Sequence, residues 1–187
     1  MIVVWISAGL VFLLSVLGIC IYNRLVTLRN DVRNAWSQID VQLKRRYDLI
    51  PNLVAAVRGY MAHEKQVLEN VVAARALTLS ATKVKERAAA EDGLSLELKG
   101  LFAVMEAYPD LKANQNIMLL QEELVSTENR IAFARQLYND LVANYRTRLE
   151  VFPDIVIASV FSFRAAEYFA AGSDDTQLPK AVLSSSA

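Results

Sequence analysis

The chain has 187 residues, enough for one domain and an anchor but too few for two large cores. Its 20 Lys and Arg balance 20 Asp and Glu, so no global charge draws it toward nucleic acid. One cysteine, Cys20, and one histidine, His63, fall short of two-His zinc, CxxC and paired ExxH ligand sets, and the 6 Gly and 4 Pro are too sparse for a strand-and-turn fold.

Residues 1–22 read MIVVWISAGLVFLLSVLGICIY, with no charge and only Ser7 and Ser15 clearly polar. As a helix this run is roughly 33 Å long, close to the ~30 Å thickness of a bilayer's hydrocarbon. Trp5 and Tyr22 stand near its ends, where amphipathic rings favour headgroup level. A cleavable signal would carry a basic leader and a shorter apolar core. A lipoprotein signal would need a small residue before the cysteine, but Cys20 follows Ile19. The run therefore reads as a transmembrane anchor from Met1 to Tyr22. Between residues 23 and 46, Arg24, Arg29, Arg33, Lys44, Arg45 and Arg46 outnumber Asp31 and Asp40. The positive-inside rule then places the bulk of the chain in the cytoplasm and the N-terminus outside.

From residue 23 to about 82, Trp36, Ile39, Leu43, Ile50, Val54, Val57, Met61, Leu68 and Val71 recur at steps of three and four. That seam predicts a long helix burying one stripe, continuous with the anchor. Pro51 lies inside the pattern and predicts a bend over residues 47–50 rather than an end. A first reversal is expected within 80–86. A second helix follows to about Ala107, with Leu94, Leu98, Leu101, Met105 and Tyr108 on one face. Asn114 is a fitting N-cap for a third helix, whose stripe runs from Ile117 through Leu124, Ile131, Tyr138 and Tyr145 to Phe152. Pro153 ends it. Residues 152–171 are apolar and aromatic and predict one short helix, and 172–187 read as a disordered tail.

The predicted fold is all-α: an N-terminal transmembrane helix (1–22) continuing into a long antiparallel coiled bundle of three to four helices (23–171). If the first helix leaves the membrane, the second returns and the third leaves again, residues 152–169 lie at the distal end. There Phe152, Phe161, Phe163 and Phe169 would cap the bundle, with a protein–protein patch as the next choice. That geometry argues against an amphipathic membrane-binding helix.

Two long blocks, YNRLVTLRNDVRNAWSQIDVQLKRRYDLIPNLVAAVRGYMAHEKQVLENVVAARA at 22–76 and YPDLKANQNIMLLQEELVSTENRIAFARQLYND at 108–140, resemble the LemA family of bacterial membrane proteins. So does the FP…A..F.F….YF pattern at 152–169. The resemblance implies a single-pass helical bundle in the bacterial inner membrane, with a role in membrane organisation or envelope stress. It also suggests a membrane metalloprotease or an envelope protein as candidate partner. Asp154-Ile155, where relatives often carry Ser-Asn, and Tyr145-Arg146, where Tyr-Asn is usual, depart from the pattern near the C-terminal segment.

Candidates for chemistry are few. His63 and Glu64 would point about 100° apart on a helix, and no second histidine completes a site. Glu122, Glu123, Glu128, Asn129 and Arg130 form the densest polar cluster. An uncharacterised enzyme would use Glu123, Glu128 and Arg130 in a cleft, whereas a buried Glu–Arg–Asn network fixing helix register explains them more simply. Lys44, Arg45 and Arg46 lie too far from the bilayer to grip headgroups and are expected to pair with neighbouring helices or subunits. No catalytic residue, cofactor or metal is assigned. The expected function is a non-enzymatic, self-associating scaffold with the lipid bilayer and a second copy as partners and no nucleic acid.

Overall fold

The computed structural model describes residues 1–169, and every regular element among them is helical: α1 (Ile2–Val57), α2 (Lys65–Ser80), α3 (Val84–Met105), α4 (Pro109–Ala113), α5 (Gln115–Glu150) and α6 (Asp154–Val160). The tail expected at 172–187 lies outside the described residues. The helices divide into two compact units, one built from Met1–Arg46 and Val125–Tyr168, the other from Tyr47–Leu124 with Phe169.

In the first unit, α1 opens with a stretch that touches nothing: residues 1–17 are all exposed, although nearly all are apolar. It is one helix long and apolar enough to cross a membrane. Beyond it the helix changes character, burying Ile21, Leu25, Val32, Ala35, Ile39 and Leu43 on one stripe. α5 buries Ile131, Tyr138, Val142 and Tyr145 in the same unit. Each such side chain contributes roughly 1.5–3 kcal/mol relative to exposure in water. The register is antiparallel. Arg46 pairs with Glu128, and Trp36, ten residues earlier on α1, meets Tyr138, ten later on α5, edge to face at 5.4 Å.

In the second unit, the end of α1 packs with α2 and α3. Ile50, Val54, Val57, Leu68, Val71, Leu94, Leu98 and Leu101 are all buried, as the apolar spacing predicts, and Leu53 joins them. α1 runs through Pro51. A proline has no N–H to give the carbonyl four residues back. That carbonyl, on Tyr47, instead accepts from the Arg75 Nε of α2 at 2.8 Å. Asn114 caps α5 as predicted, its Oδ1 accepting from the N–H groups of Asn116 (3.0 Å) and Ile117 (3.4 Å).

The helix expected to reach residue 82 ends instead at Val57. Tight hydrogen bonds from Tyr60 N–H to the Val57 carbonyl (3.0 Å) and from Glu64 N–H to the Met61 carbonyl (3.1 Å) turn the chain next to Gly59. Met61 stays fully buried inside that turn, so the apolar spacing passes through the break unaltered and conceals it. The extra reversal sends α2 back along α1, with Arg75 opposite Tyr47. α3 then runs in α1's own direction, from Glu91 beside Tyr47 to Tyr108 beyond its C-terminus, beside Glu64.

Within the first unit, the predicted distal position of the segment that begins at Phe152 is wrong. The Tyr22 ring lies 4.8 Å from that of Phe161 and 5.7 Å from that of Phe163. The C-terminal segment therefore packs against α1 where the apolar run ends.

Candidate functional site

The residues proposed for chemistry do not converge. Glu123 and Glu128, five positions apart on α5, project about 140° from one another, and Glu128 and Arg130 about 160°. Glu128 is committed to Arg46, which is fully buried, through a 2.5 Å charge-assisted contact. In place of the expected Glu–Arg–Asn network, Glu128 takes an arginine from α1 in a half-buried pair; Asn129 and Arg130 are exposed. Arg130 lies instead along a groove of about 450 Å³ with Phe133, Leu137, Val41 and Gln42. Lys44 and Arg45 are exposed, and the expected helix-to-helix pairing is seen at Arg46.

His63 is exposed in the turn before α2 rather than on a helix face, and Glu64 accepts a 3.3 Å hydrogen bond from the Tyr108 hydroxyl. Among the described residues, no three His, Cys, Asp or Glu side chains gather closely enough to hold a metal ion. A second polar pair lies deeper, where the Tyr47 hydroxyl donates to the Glu91 carboxylate, with Glu91 1% exposed. Sequence reasoning missed it because Glu91 sits in the polar-looking stretch AAAEDG, with no apolar rhythm to mark it as interior. A groove of about 700 Å³ between the end of α1 and α2 is lined by Met61, Leu68, Val72, Ala73 and Ala76 together with Arg58, Lys65 and Glu69.

The most distinctive surface is where the apolar run of α1 meets the C-terminal segment. α6 follows Pro153 and seats Ala158 against Ile21 and Leu25, with Leu149, Ile157 and Phe163 around them. α6 comes close at Gly18, where a β-carbon would make ordinary van der Waals contact, 3.6 Å from Ile157 Cδ1. The helix ends in a Schellman motif, with Phe163 N–H bonded to the Ala158 carbonyl (2.9 Å) and Ser162 N–H to that of Ser159 (3.2 Å). Ser162 adopts φ 52°, and this left-handed residue reverses the chain. The segment then runs back along the bundle. Arg29 lies 5.2 Å over the Phe163 ring, Arg146 lies 5.0 Å over that of Tyr168, and the Tyr138 hydroxyl donates to the Glu167 carbonyl at 2.7 Å.

Two inner tyrosines carry electrostatic signatures. Burial raises the pKa of Tyr138, and the nearby Glu167 charge adds to the rise. Burial also raises that of Tyr145, against the opposing pull of Arg29 and Arg33. The Tyr145 hydroxyl is buried without a hydrogen-bond partner among the described residues.

The chain was compared with known proteins. The LemA family model matches residues 35–182. The magnetosome protein MamQ 2 of Paramagnetospirillum magneticum is 26% identical over 174 residues, covering 79% of this chain and 64% of that protein. MamQ of Magnetospirillum gryphiswaldense is 25% identical with the same coverage. Protein LemA of Metamycoplasma hominis is 25% identical over 134 residues, covering 70% of this chain and 60% of its own length. The chain thus spans just under two thirds of the length of these relatives. Since the family match takes in well over half of the sequence, the chain belongs to the LemA family.

Proposed function

We propose that the chain is a non-enzymatic scaffold, held in the bacterial inner membrane by residues 1–22 as a single span, that displays its helices on the cytoplasmic side and associates with further copies or envelope partners. The observation that carries the reading is the abrupt change along α1. Its first 17 residues are nearly all apolar yet every one is exposed, and the same helix then buries a continuous stripe. Water would not tolerate so long an apolar surface, whereas lipid solvates it. The inner polar groups support the non-catalytic part. Arg46 with Glu128, Tyr47 with Glu91 and Arg75 with the Tyr47 carbonyl are each engaged in joining helices. The kinship with magnetosome proteins favours a role in membrane organisation.

The reading is tested by protease digestion of intact cells and of inverted vesicles, followed by crosslinking in the membrane. Digestion of the bulk domain only in inverted vesicles, together with crosslinked oligomers, is the expected result. A chain that stays in solution without detergent, or crosslinks only as a monomer with no partner, would overturn it.

A further inference from the structure

Helix α6 has an unusual exposure pattern. Its inward face carries Asp154 and Ala158, both buried, and the half-buried Ile157. The opposite face is largely apolar, with Ile155, Val156 (50% exposed) and Val160 (69%) open beside exposed Ser159, flanked by Phe152 (83%) and Phe161 (57%). An open apolar face of this kind belongs in an apolar surround, and the rest of this unit covers only the other side of the helix.

What covers the other side follows from its neighbour. Ile157 sits against Gly18, within the apolar run, and Phe161 stacks on Tyr22 at the run's end. Gly18 lies four residues, about 6 Å of rise, inside Tyr22. Interfacial helices bury their apolar face about 5–10 Å into the boundary between headgroups and acyl chains. Arg24 and Arg164 are exposed close by in sequence to Tyr22 and Phe161, and side chains of this length can reach headgroup level; Arg148 is held by Asp154 at 3.9 Å.

We propose that residues 152–161 form a second bilayer contact, a monotopic wedge lying in the same leaflet as the last turns of the span. This rests on residues 1–22 spanning the membrane, and it assigns lipid, rather than a second copy, as the occupant of the open face. The reason is continuity: the patch adjoins the surface of the span at two points, Ile157 at Gly18 and Phe161 at Tyr22. The protein is then held to the membrane at two points, and α5 is tied to the surface at its C-terminal end.

The test uses the full chain in a Cys20→Ser background, reconstituted into phosphatidylethanolamine–phosphatidylglycerol vesicles. Single cysteines replace Val156 or Val160, with Leu14→Cys as a probe of the span and Ala132→Cys as a probe of exposed α5, each labelled with bimane. Circular dichroism checks that helicity is kept. With a nitroxide carried high on the acyl chains and iodide on both sides, labels at 156 and 160 should be lipid-quenched like that at 14. They should also be blue-shifted, and several-fold less iodide-quenched, relative to the label at 132. Labels that behave like that at 132 overturn the wedge while leaving the anchor intact. Labels shielded from both quenchers overturn it in favour of a protein cover. If the label at 14 escapes lipid quenching, the anchor reading falls and the wedge with it.

Discussion

Ser162 and Arg75 each repair the backbone at a point where the helical pattern fails. Ser162 is, among the described residues, the one non-glycine side chain at positive φ, and it closes α6 with its β-carbon in a crowded conformation. Ser162→Gly should relieve this and stabilise the fold by about 1 kcal/mol, seen as a higher midpoint in thermal unfolding followed by circular dichroism. Arg75 does the opposite kind of repair, supplying from outside the donor that Pro51 cannot provide. Arg75→Ala should cost about 1–3 kcal/mol by orphaning a polar group. The diagnostic is a double-mutant cycle. In a Pro51→Ala background the Tyr47 carbonyl regains a helical partner, so Arg75→Ala should cost clearly less. Equal costs in both backgrounds would refute the account.

Among elements, the pairing of α1 with α5 is set by the apolar stripe and locked by one asymmetric ion pair. Arg46 is 0% exposed while Glu128 is 36% exposed. Removing the carboxylate takes a charged partner from a fully buried cation, whereas removing the cation leaves a carboxylate that can turn to water. Glu128→Ala should therefore cost about 2–3 kcal/mol, below the full value for a buried pair because Glu128 reaches solvent. Arg46→Met, which refills the volume, should cost less. Chemical denaturation of both variants decides the order. Which arginine would meet Glu128 was not legible, since Arg130 is near in sequence while Arg46 is 82 residues away. The end of α1 was equally hidden, because Met61 keeps the apolar rhythm through a turn that is not helical.

At the scale of the molecule, the raised tyrosines Tyr138 and Tyr145 predict an alkaline weakness. Tyr138 and Tyr145 both lie above the ordinary value of 10.0 when folded. The unfolded chain therefore loses these protons first. Their contribution is complete below about pH 10 and is lost as the pH rises past it. The thermal midpoint should fall over that range, and Tyr138→Phe, which cannot ionise, should flatten the fall. An unchanged pH profile in Tyr138→Phe would show that its ionisation plays no part.

The sequence by itself determined the helical class, the apolar run at the start of α1, the buried stripes of α1, α3 and α5, and the Asn114 cap. These depend on periodicity and local hydrogen bonding, which a chain carries in its own order of residues. It did not determine how many times the chain reverses or which end of the bundle receives residues 152–169. Direction depends on a turn whose packing imitates a helix, and pairing depends on which distant groups neutralise one another. Only the tertiary structure brings Phe161 to Tyr22 and Ile157 to Gly18, and so turns an apparent distal cap into a surface beside the span.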